Sequence, residues 1–252
     1  MSLGVVANVY NEAFALPGWL EMACSFFDDV RIYHSGPRGK CSDDGTIELL
    51  EHWRIPYSVG NMDEGFGVVR TKAIRSSPCE YVMLMDADER FWPMDPVFRC
   101  IGESRPLPVA EQVLQEYDTP TPGATPWNWE NAKNIPVHLR VEKAVCPANQ
   151  GAKLRSIVDL HPDAIVLSRR HWIDFQFHPS QNWHTDPDVQ TKIVRNDPSI
   201  YWQSKMHETL IGAKDVRHNF DLFVEHFHIP FKSMNPKQRA IDIETYRRIW
   251  RS

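Results

Sequence analysis

The feature that most constrains this chain is an alternation in its first third. Short apolar runs, Leu3 to Val9, Val30 to Tyr33, Ile55 to Val59 and Tyr81 to Met85, are separated by stretches of helical character, Ala13 to Phe27, Gly45 to Trp53 and Gly65 to Ser76. A half-exposed strand alternates apolar and polar residues, whereas a near-continuous apolar run belongs to a parallel strand covered on both faces. The order βαβαβαβ therefore predicts an α/β fold with a central, mostly parallel sheet. Such sheets bind ligands at the carboxyl ends of their strands. That rule directs attention to Asn11 and Glu12, His34 and Ser35, Gly60 and Asn61, and Asp86 to Glu89.

Composition sets the outer bounds. With 252 residues, 42% of them hydrophobic, the chain is long enough to bury a sizeable core without disulfide or metal staples. The 28 basic and 33 acidic residues give a net charge of -5, which does not point to a protein built to coat nucleic acid. From Ile229 to Ser252 the balance reverses, with Lys232, Lys237, Arg239, Arg247, Arg248 and Arg251 against Asp242 and Glu244. This basic segment reads as a solvated helix face or a surface for an anionic partner. Cys24, Cys41, Cys79, Cys100 and Cys146 are odd in number and lack a C-x-x-C pair, so reduced thiols are expected. The opening Met1 to Val6 has no basic n-region and meets Asn8 too soon for a signal peptide or a membrane span. A cytoplasmic protein without a membrane span is the expectation.

Between Glu103 and Asn149 the alternation breaks, with prolines at 106, 108, 120, 122, 126, 136 and 147 around Trp127-Asn128-Trp129. The stretch reads as a long ordered loop, a length associated with function inside a compact domain. Further strands are expected at Ala164 to Leu167, Lys192 to Arg195 and Val224 to Ile229, and Asn235-Pro236 opens a final helix. The expected layout is a single domain over 1–252. Residues 1–100 form the first half, 103–153 an insert, and 154–252 the second half.

The acidic end of the fourth run carries the chemistry. Val82-Met83-Leu84-Met85 leads into Asp86-Ala87-Asp88-Glu89, three carboxylates where a buried strand emerges at its ligand-binding end. Asp86 and Asp88 offer hard oxygen ligands for Mg²⁺ or Mn²⁺, which bridge a diphosphate. His226 and His228, two apart in a strand, point to one face and can complete a coordination sphere. His207-Glu208-Thr209-Leu210-Ile211 lacks the second histidine of a zinc-protease H-E-x-x-H.

Several motifs in order resemble the family 2 glycosyltransferases of the GT-A fold, including lipopolysaccharide-biosynthesis members. Val9-Tyr10-Asn11-Glu12 is similar to the end of that family's first strand, and Ser42-Asp43-Asp44-Gly45-Thr46 to its S-x-D-G-T turn. Arg70 falls where the family has an arginine before the D-x-D strand, and Asp86-Ala87-Asp88 matches the D-x-D. Trp202 through His207-Glu208-Thr209-Leu210 is similar to the W-x-x-x-x-H-E-x-L element, and Val224 to Arg248 to the closing strand and helix. The likeness covers residues 3 to 95 and 190 to 248; the Pro-rich insert lies outside it.

The resemblance implies a Rossmann-like nucleotide-sugar domain and a metal-dependent, inverting hexosyl- or related transferase, moving a sugar from a nucleotide-sugar donor to a hydroxyl. A saccharide acceptor is favoured, with a modified DNA base or a protein as alternatives. It implies Asp88 as principal metal ligand, Asp86 on the donor ribose or a metal-bound water, and His226 ahead of His228 as the further ligand. Glu208 is the implied general base, Asn11, Glu12 and Asp44 donor contacts, and Arg70, with Lys72, a diphosphate contact. One departure stands out: His34 occupies the place of the aspartate that opens the family's D-x-S-x-D-G-T, followed by an inserted Arg38 and Lys40. The donor base stays open among uridine, thymidine, guanosine and cytidine, with a UDP-sugar favoured. Two other classes fit parts of the pattern: a non-catalytic nucleotide-sugar-binding module, and a metal-dependent phosphohydrolase or nucleotidyltransferase built from Asp86, Asp88, His207, His226 and His228.

Overall fold

The computed structural model describes residues 1–93, 149–171, 188–206, 208–227, 240–241, 244–245 and 247–249. The first third follows the predicted order: β1 (Leu3–Val9), α1 (Leu16–Cys24), β2 (Asp29–Gly36), α2 (Thr46–His52), β3 (Tyr57–Asn61), α3 (Phe66–Ser76) and β4 (Tyr81–Asp86). Then come β5 (Glu89–Arg90), α4 (Gln150–Val158), β6 (Ala164–His171), β7 (Asp188–Arg195), β8 (Tyr201–Gln203), β9 (Thr209–Ile211) and β10 (Val216–His226).

Eight strands form one sheet in the order β3-β2-β1-β4-β7-β6-β10-β5. Strands β3, β2, β1 and β4 are parallel, β7 runs antiparallel to both β4 and β6, and β10 is parallel to β6. The expected α/β class with a central, mostly parallel sheet is therefore what the chain adopts. From β1 the chain winds outward to β2 and β3, then returns to the other side of β1 as β4, so the switch in strand order falls between β1 and β4. The register sets Asn8 beside Asp86 at that switch, where open α/β sheets bind ligands.

Alternate residues of each strand supply two cores. Leu3, Val5, Ala7 and Val9 of β1, with Tyr81, Met83 and Met85 of β4, pack against Trp19 and Leu20 of α1, Leu50 of α2 and Leu154 of α4. Val6, Tyr33, Val82, Leu84 and Val194 meet Val69, Ala73 and Ile74 of α3, together with Ile200 and Trp202. Burial on both faces explains the unbroken apolar runs of β1 and β4, whereas β3 lies at the sheet edge and is largely exposed. Helix α1 opens with Leu16-Pro17, proline being tolerated in the first turn where its missing N–H costs nothing.

Three elements lie outside the apolar reading. Helix α4 starts directly after the stretch read as loop, inside the 103–153 insert; its Gln150 side chain donates to Trp92 O and accepts from Phe223 N, tying it to β10. The expected strand at 224–229 is longer and begins earlier, because the first half of β10, Val216-Arg217-His218-Asn219, is polar and mostly exposed. It is held by backbone pairing to β6 instead of by burial. The β8–β9 hairpin has only three residues per strand. Most of the Pro-rich insert with Trp127 and Trp129, together with Trp183, His207, His228 and the Asn235-Pro236 helix start, lie outside the described residues. Cys24, Cys41 and Cys79 are free thiols. Among the described residues no helix is long and apolar enough to cross a membrane.

Candidate functional site

Two loops lock together at the carboxyl ends of β1 and β2. Asn11 adopts a left-handed backbone, φ 53°, and its side-chain oxygen accepts from Asp43 N at 3.0 Å. In return Asn11 N donates to Ser42 Oγ (2.9 Å), Glu12 N to Thr46 Oγ1 (3.0 Å) and Ala13 N to Asp44 Oδ2 (3.0 Å). The other oxygen of Asp44 accepts from Thr46 N and Thr46 Oγ1, across Gly45, whose φ of 91° suits glycine. Asp44 is thus a loop organiser, and Asp43 is the exposed acid of the turn.

His34 belongs to the same scaffold. Its ring is fully buried, and Nε2 lies 3.1 Å from Ser42 N, which donates to it, and 2.9 Å from Ser42 Oγ. Burial pushes its pKa below the usual imidazole value. The residue that departs from the family pattern therefore anchors the 41–46 turn. Arg38 and Lys40 are exposed.

The Asp86-Ala87-Asp88-Glu89 end divides its acids. Glu89 is fully buried and accepts from Lys192 Nζ at 2.6 and 2.7 Å, from Arg169 Nη1 at 3.3 Å and from Asp86 N at 3.0 Å. Burial alone would raise its pKa; Lys192, His226 and Arg169 more than reverse that and hold it at about 2. Glu89, the third acid of the motif and not one of the expected cation ligands, is the internal counter-ion that fixes the motif's backbone. Arg90 reinforces it, donating to Ala87 O (2.7 Å) and to Ala15 O (2.8 Å) at the start of α1. Asp86 and Asp88 remain at the strand end.

Strand pairing brings His226 to Asp88. β10 pairs with β5 so that His226 lies opposite Glu89, and Phe227 N donates to Asp88 O at 2.9 Å. The His226 Nε2 to Asp88 Oδ1 distance is 3.6 Å, and both side chains are less than a tenth exposed. Across the β6–β10 register His226 faces His171, their Nδ1 atoms 2.8 Å apart. His171 Nε2 in turn lies 2.8 Å from Asp188 Oδ2, to which Arg169 also donates at 2.7 Å. Burial, more than any other influence, pushes the His171 pKa down, against the opposing pull of Asp188. Asp188 itself sits at about 2, burial being outweighed by His171 and Arg169. The sequence reading missed His171, Asp188, Arg169 and the partner role of Lys192. The available signal was the switch from apolar Ala164–Leu167 to Arg169-Arg170-His171 at the end of a buried strand.

Asp88 and His226 present a hard oxygen and an imidazole nitrogen toward each other, a first-row divalent donor set. Among the described residues no group of three or more His, Cys, Asp or Glu is placed to hold a metal; His228, the fourth expected ligand beside Asp86, Asp88 and His226, lies outside them.

The other half of the site stands on α3. Arg70 Nε donates to Glu208 Oε1 at 3.1 Å, and its guanidinium lies over the Trp202 ring, 5.5 Å from the centroid. The two residues read as diphosphate contact and general base are thus an ion pair. The β8–β9 hairpin that carries Trp202 is clamped to α3: Gly67 N donates to Ser204 O and Phe66 N to Lys205 O, and Trp202 N to Thr71 Oγ1. A side chain at Gly67 would meet Ser204 O at 2.5 Å, so only glycine permits this approach. Lys72 pairs with Glu64 at the surface, and Arg248 of the basic segment pairs with Asp63 at 2.6 Å.

No protein-family model and no curated protein matches the chain. Among solved structures it is similar to S. aureus TarS 1–349 in complex with UDP-GlcNAc, at 14% identity and TM-score 0.49, over 97% of this chain and 66% of that one. It is also similar to a mycobacterial protein, at 9% identity and TM-score 0.44, over 97% of this chain and 73% of that one. A shorter match, at 15% identity and TM-score 0.29 over 35% of this chain and 34% of the other, is to glucosyl-3-phosphoglycerate synthase from Mycobacterium tuberculosis in complex with Mn²⁺, uridine diphosphate and glucosyl-3-phosphoglycerate. The chain spans less than two thirds of the TarS structures it resembles.

Proposed function

We propose that the chain is a metal-dependent, inverting glycosyltransferase of the GT-A type, moving a sugar from a nucleotide-sugar donor, a UDP-sugar favoured, to a hydroxyl acceptor, a saccharide favoured. The observation that carries this reading is the pairing of Asp88 with His226 at the sheet's switch point, beside the β1 loop of Asn11 and Glu12. Asp88 and His226 would hold a divalent ion, with Asp86 on the donor ribose or on a metal-bound water; whether His228 joins them belongs to the same proposal. When bound, the ion neutralises charge developing on the leaving diphosphate.

The chain's own groups supply the rest. The β1 loop, stiffened by Asn11 and Asp44, gives the nucleoside a fixed floor. Arg70 has a planar fork of five N–H groups, so its contact with Glu208 leaves donors for phosphate oxygens. Glu208 takes the proton of the acceptor hydroxyl as the bond to the sugar forms on the face opposite the leaving diphosphate.

Thermal unfolding against UDP, dTDP, GDP and CDP, each with and without Mn²⁺ or Mg²⁺, tests the donor assignment. Ligand at a hundred times its Kd stabilises the native state by about 2.7 kcal/mol, worth roughly 5–10 °C at this chain length. A rise for UDP that requires metal is the expected result; no rise with any combination sinks the reading. Glu208→Gln is expected to keep that shift while transfer falls about 10²- to 10⁴-fold. Undiminished transfer would assign the base to another residue.

A further inference from the structure

A chain of contacts runs from the buried ring of His34 to the β1 loop. We propose that His34 is a positioning residue of the donor site. Its neutral ring latches the 41–46 turn to the β1 loop, and a proton on Nε2 releases both, so nucleotide affinity falls in acid. This rests on the donor-site reading above.

The contacts fix where the ring carries its proton. A backbone N–H only donates, and Ser42 N donates to His34 Nε2 at 3.1 Å, so Nε2 is bare and the neutral ring is protonated on Nδ1. Ser42 Oγ, 2.9 Å from the same nitrogen, accepts from Asn11 N at 2.9 Å and has its own proton for Nε2. Both polar groups of Ser42 thus converge on one lone pair. Through Ser42 the ring holds Asn11, whose left-handed backbone, φ 53°, is closed from the other side by Asp43 N. Glu12 N on Thr46 Oγ1 and Ala13 N on Asp44 Oδ2 complete the seam.

A second proton removes that lone pair. Nε2–H could still donate to Ser42 Oγ, but Ser42 N would face an N–H with no acceptor in its place. The charge would also be poorly received, because the ring has zero exposure and Nδ1 has no hydrogen-bond partner beyond its own backbone. Val9 of β1 and Val59 of β3 flank it in register, and Tyr10 meets it edge-on at 6.0 Å between centroids. Asp44 favours the proton, yet its oxygens are taken up by Ala13 N, Thr46 N and Thr46 Oγ1, and burial outweighs it. Cys41, Asp43, Arg38 and Lys40 are exposed. The fold therefore keeps the ring neutral at a pH where the unfolded chain binds the proton, and the seam weakens as pH falls below the ordinary imidazole range.

The test has two arms on wild type and His34→Gln, whose side-chain oxygen stands in for bare Nε2 and does not titrate. The first is amide hydrogen exchange of Asn11, Ser42 and Asp43 without ligand, corrected for intrinsic rates, from about pH 7.5 to about pH 5, where histidine titrates. Protection is expected to fall about tenfold in wild type, the usual cost of a buried N–H left unsatisfied, and to hold in His34→Gln. The second is calorimetric titration of UDP with Mg²⁺ over the same range. The ratio of the two Kd values cancels the titration of the nucleotide and of the metal site. Equal affinity is expected at neutral pH, with wild type about tenfold weaker in acid. The same pH course in both proteins, in either arm, overturns the proposal while leaving the donor reading standing. Absence of UDP binding in wild type at neutral pH removes the donor reading, and this proposal with it. Should His34→Gln not fold, the ring ¹⁵N titration of wild type decides: a proton arriving on His34 Nε2 as the Ser42 amide loses protection supports the latch. A protonated ring with Ser42 N still protected refutes it, as does a ring that stays neutral until the whole protein unfolds.

Discussion

Asp88→Asn is expected to lower sugar transfer by about 10³-fold or more while leaving the melting temperature of the ligand-free protein unchanged or raised. The activity loss follows from the several kcal/mol that a cation contributes to a leaving diphosphate, each 1.36 kcal/mol being tenfold in rate. The stability argument is local. In the wild type an acidic oxygen and an imidazole nitrogen face each other at 3.6 Å, both nearly buried. Asparagine has the same shape without the charge, so the packing of the loop is kept while the carboxylate that would hold a cation is lost. Melting curves with UDP and Mn²⁺ would show the metal-dependent shift abolished. Near-normal turnover in Asp88→Asn would remove Asp88 from the mechanism, and a collapse of the melting temperature would show its role to be structural.

The strands most legible in the sequence are the central ones buried on both faces; β3, at the edge and largely exposed, is legible through its place in the alternation with helices. Leu3–Val9 and Tyr81–Asp86 stand in the middle of the sheet, so their apolar runs report the architecture directly. The polar half of β10 and the three-residue strands β8 and β9 carry no such pattern; they are held by pairing partners distant in sequence, which periodicity does not register. The site divides in the same way. Asp86 and Asp88 draw attention in the sequence because they stand at the carboxyl end of a buried strand, where such sheets bind ligands. Glu89 is read with them, yet its counter-ion Lys192 comes from a strand 103 positions later. His34 is read as a lost donor contact because only the fold shows Ser42 donating to it. Arg70 and Glu208 are separately nameable as diphosphate contact and base, while their direct pairing depends on Gly67 admitting the β8–β9 hairpin against α3.

Lys192→Met is expected to be the most destabilising single change in this region, by about 3 kcal/mol near neutral pH, since removing one partner of a buried ion pair strands the other. Glu89 has no exposure, Lys192 is 5% exposed, and Arg169 remains as the more distant cation at 3.3 Å, which places the cost toward the lower end of the usual range. The pH dependence has a definite sign. Glu89 is held at about 2 against an ordinary 4.5, and Asp188 at about 2 against 3.8. A depressed carboxylate contributes stability that is fully present above its unfolded pKa and is lost as pH falls through the folded one. Wild type therefore sheds the contribution of these acids between about pH 4.5 and pH 2, as protons release Glu89 from Lys192 and Asp188 from His171 and Arg169. The variant has already lost the Lys192 part, so its stability falls less steeply over that window. Urea unfolding of both proteins from neutral pH down to about pH 3 should show two curves far apart at pH 7 and converging in acid. A constant separation across that range would mean that Lys192 acts by packing its aliphatic stem, and that the charge on Glu89 is balanced by Arg169 alone.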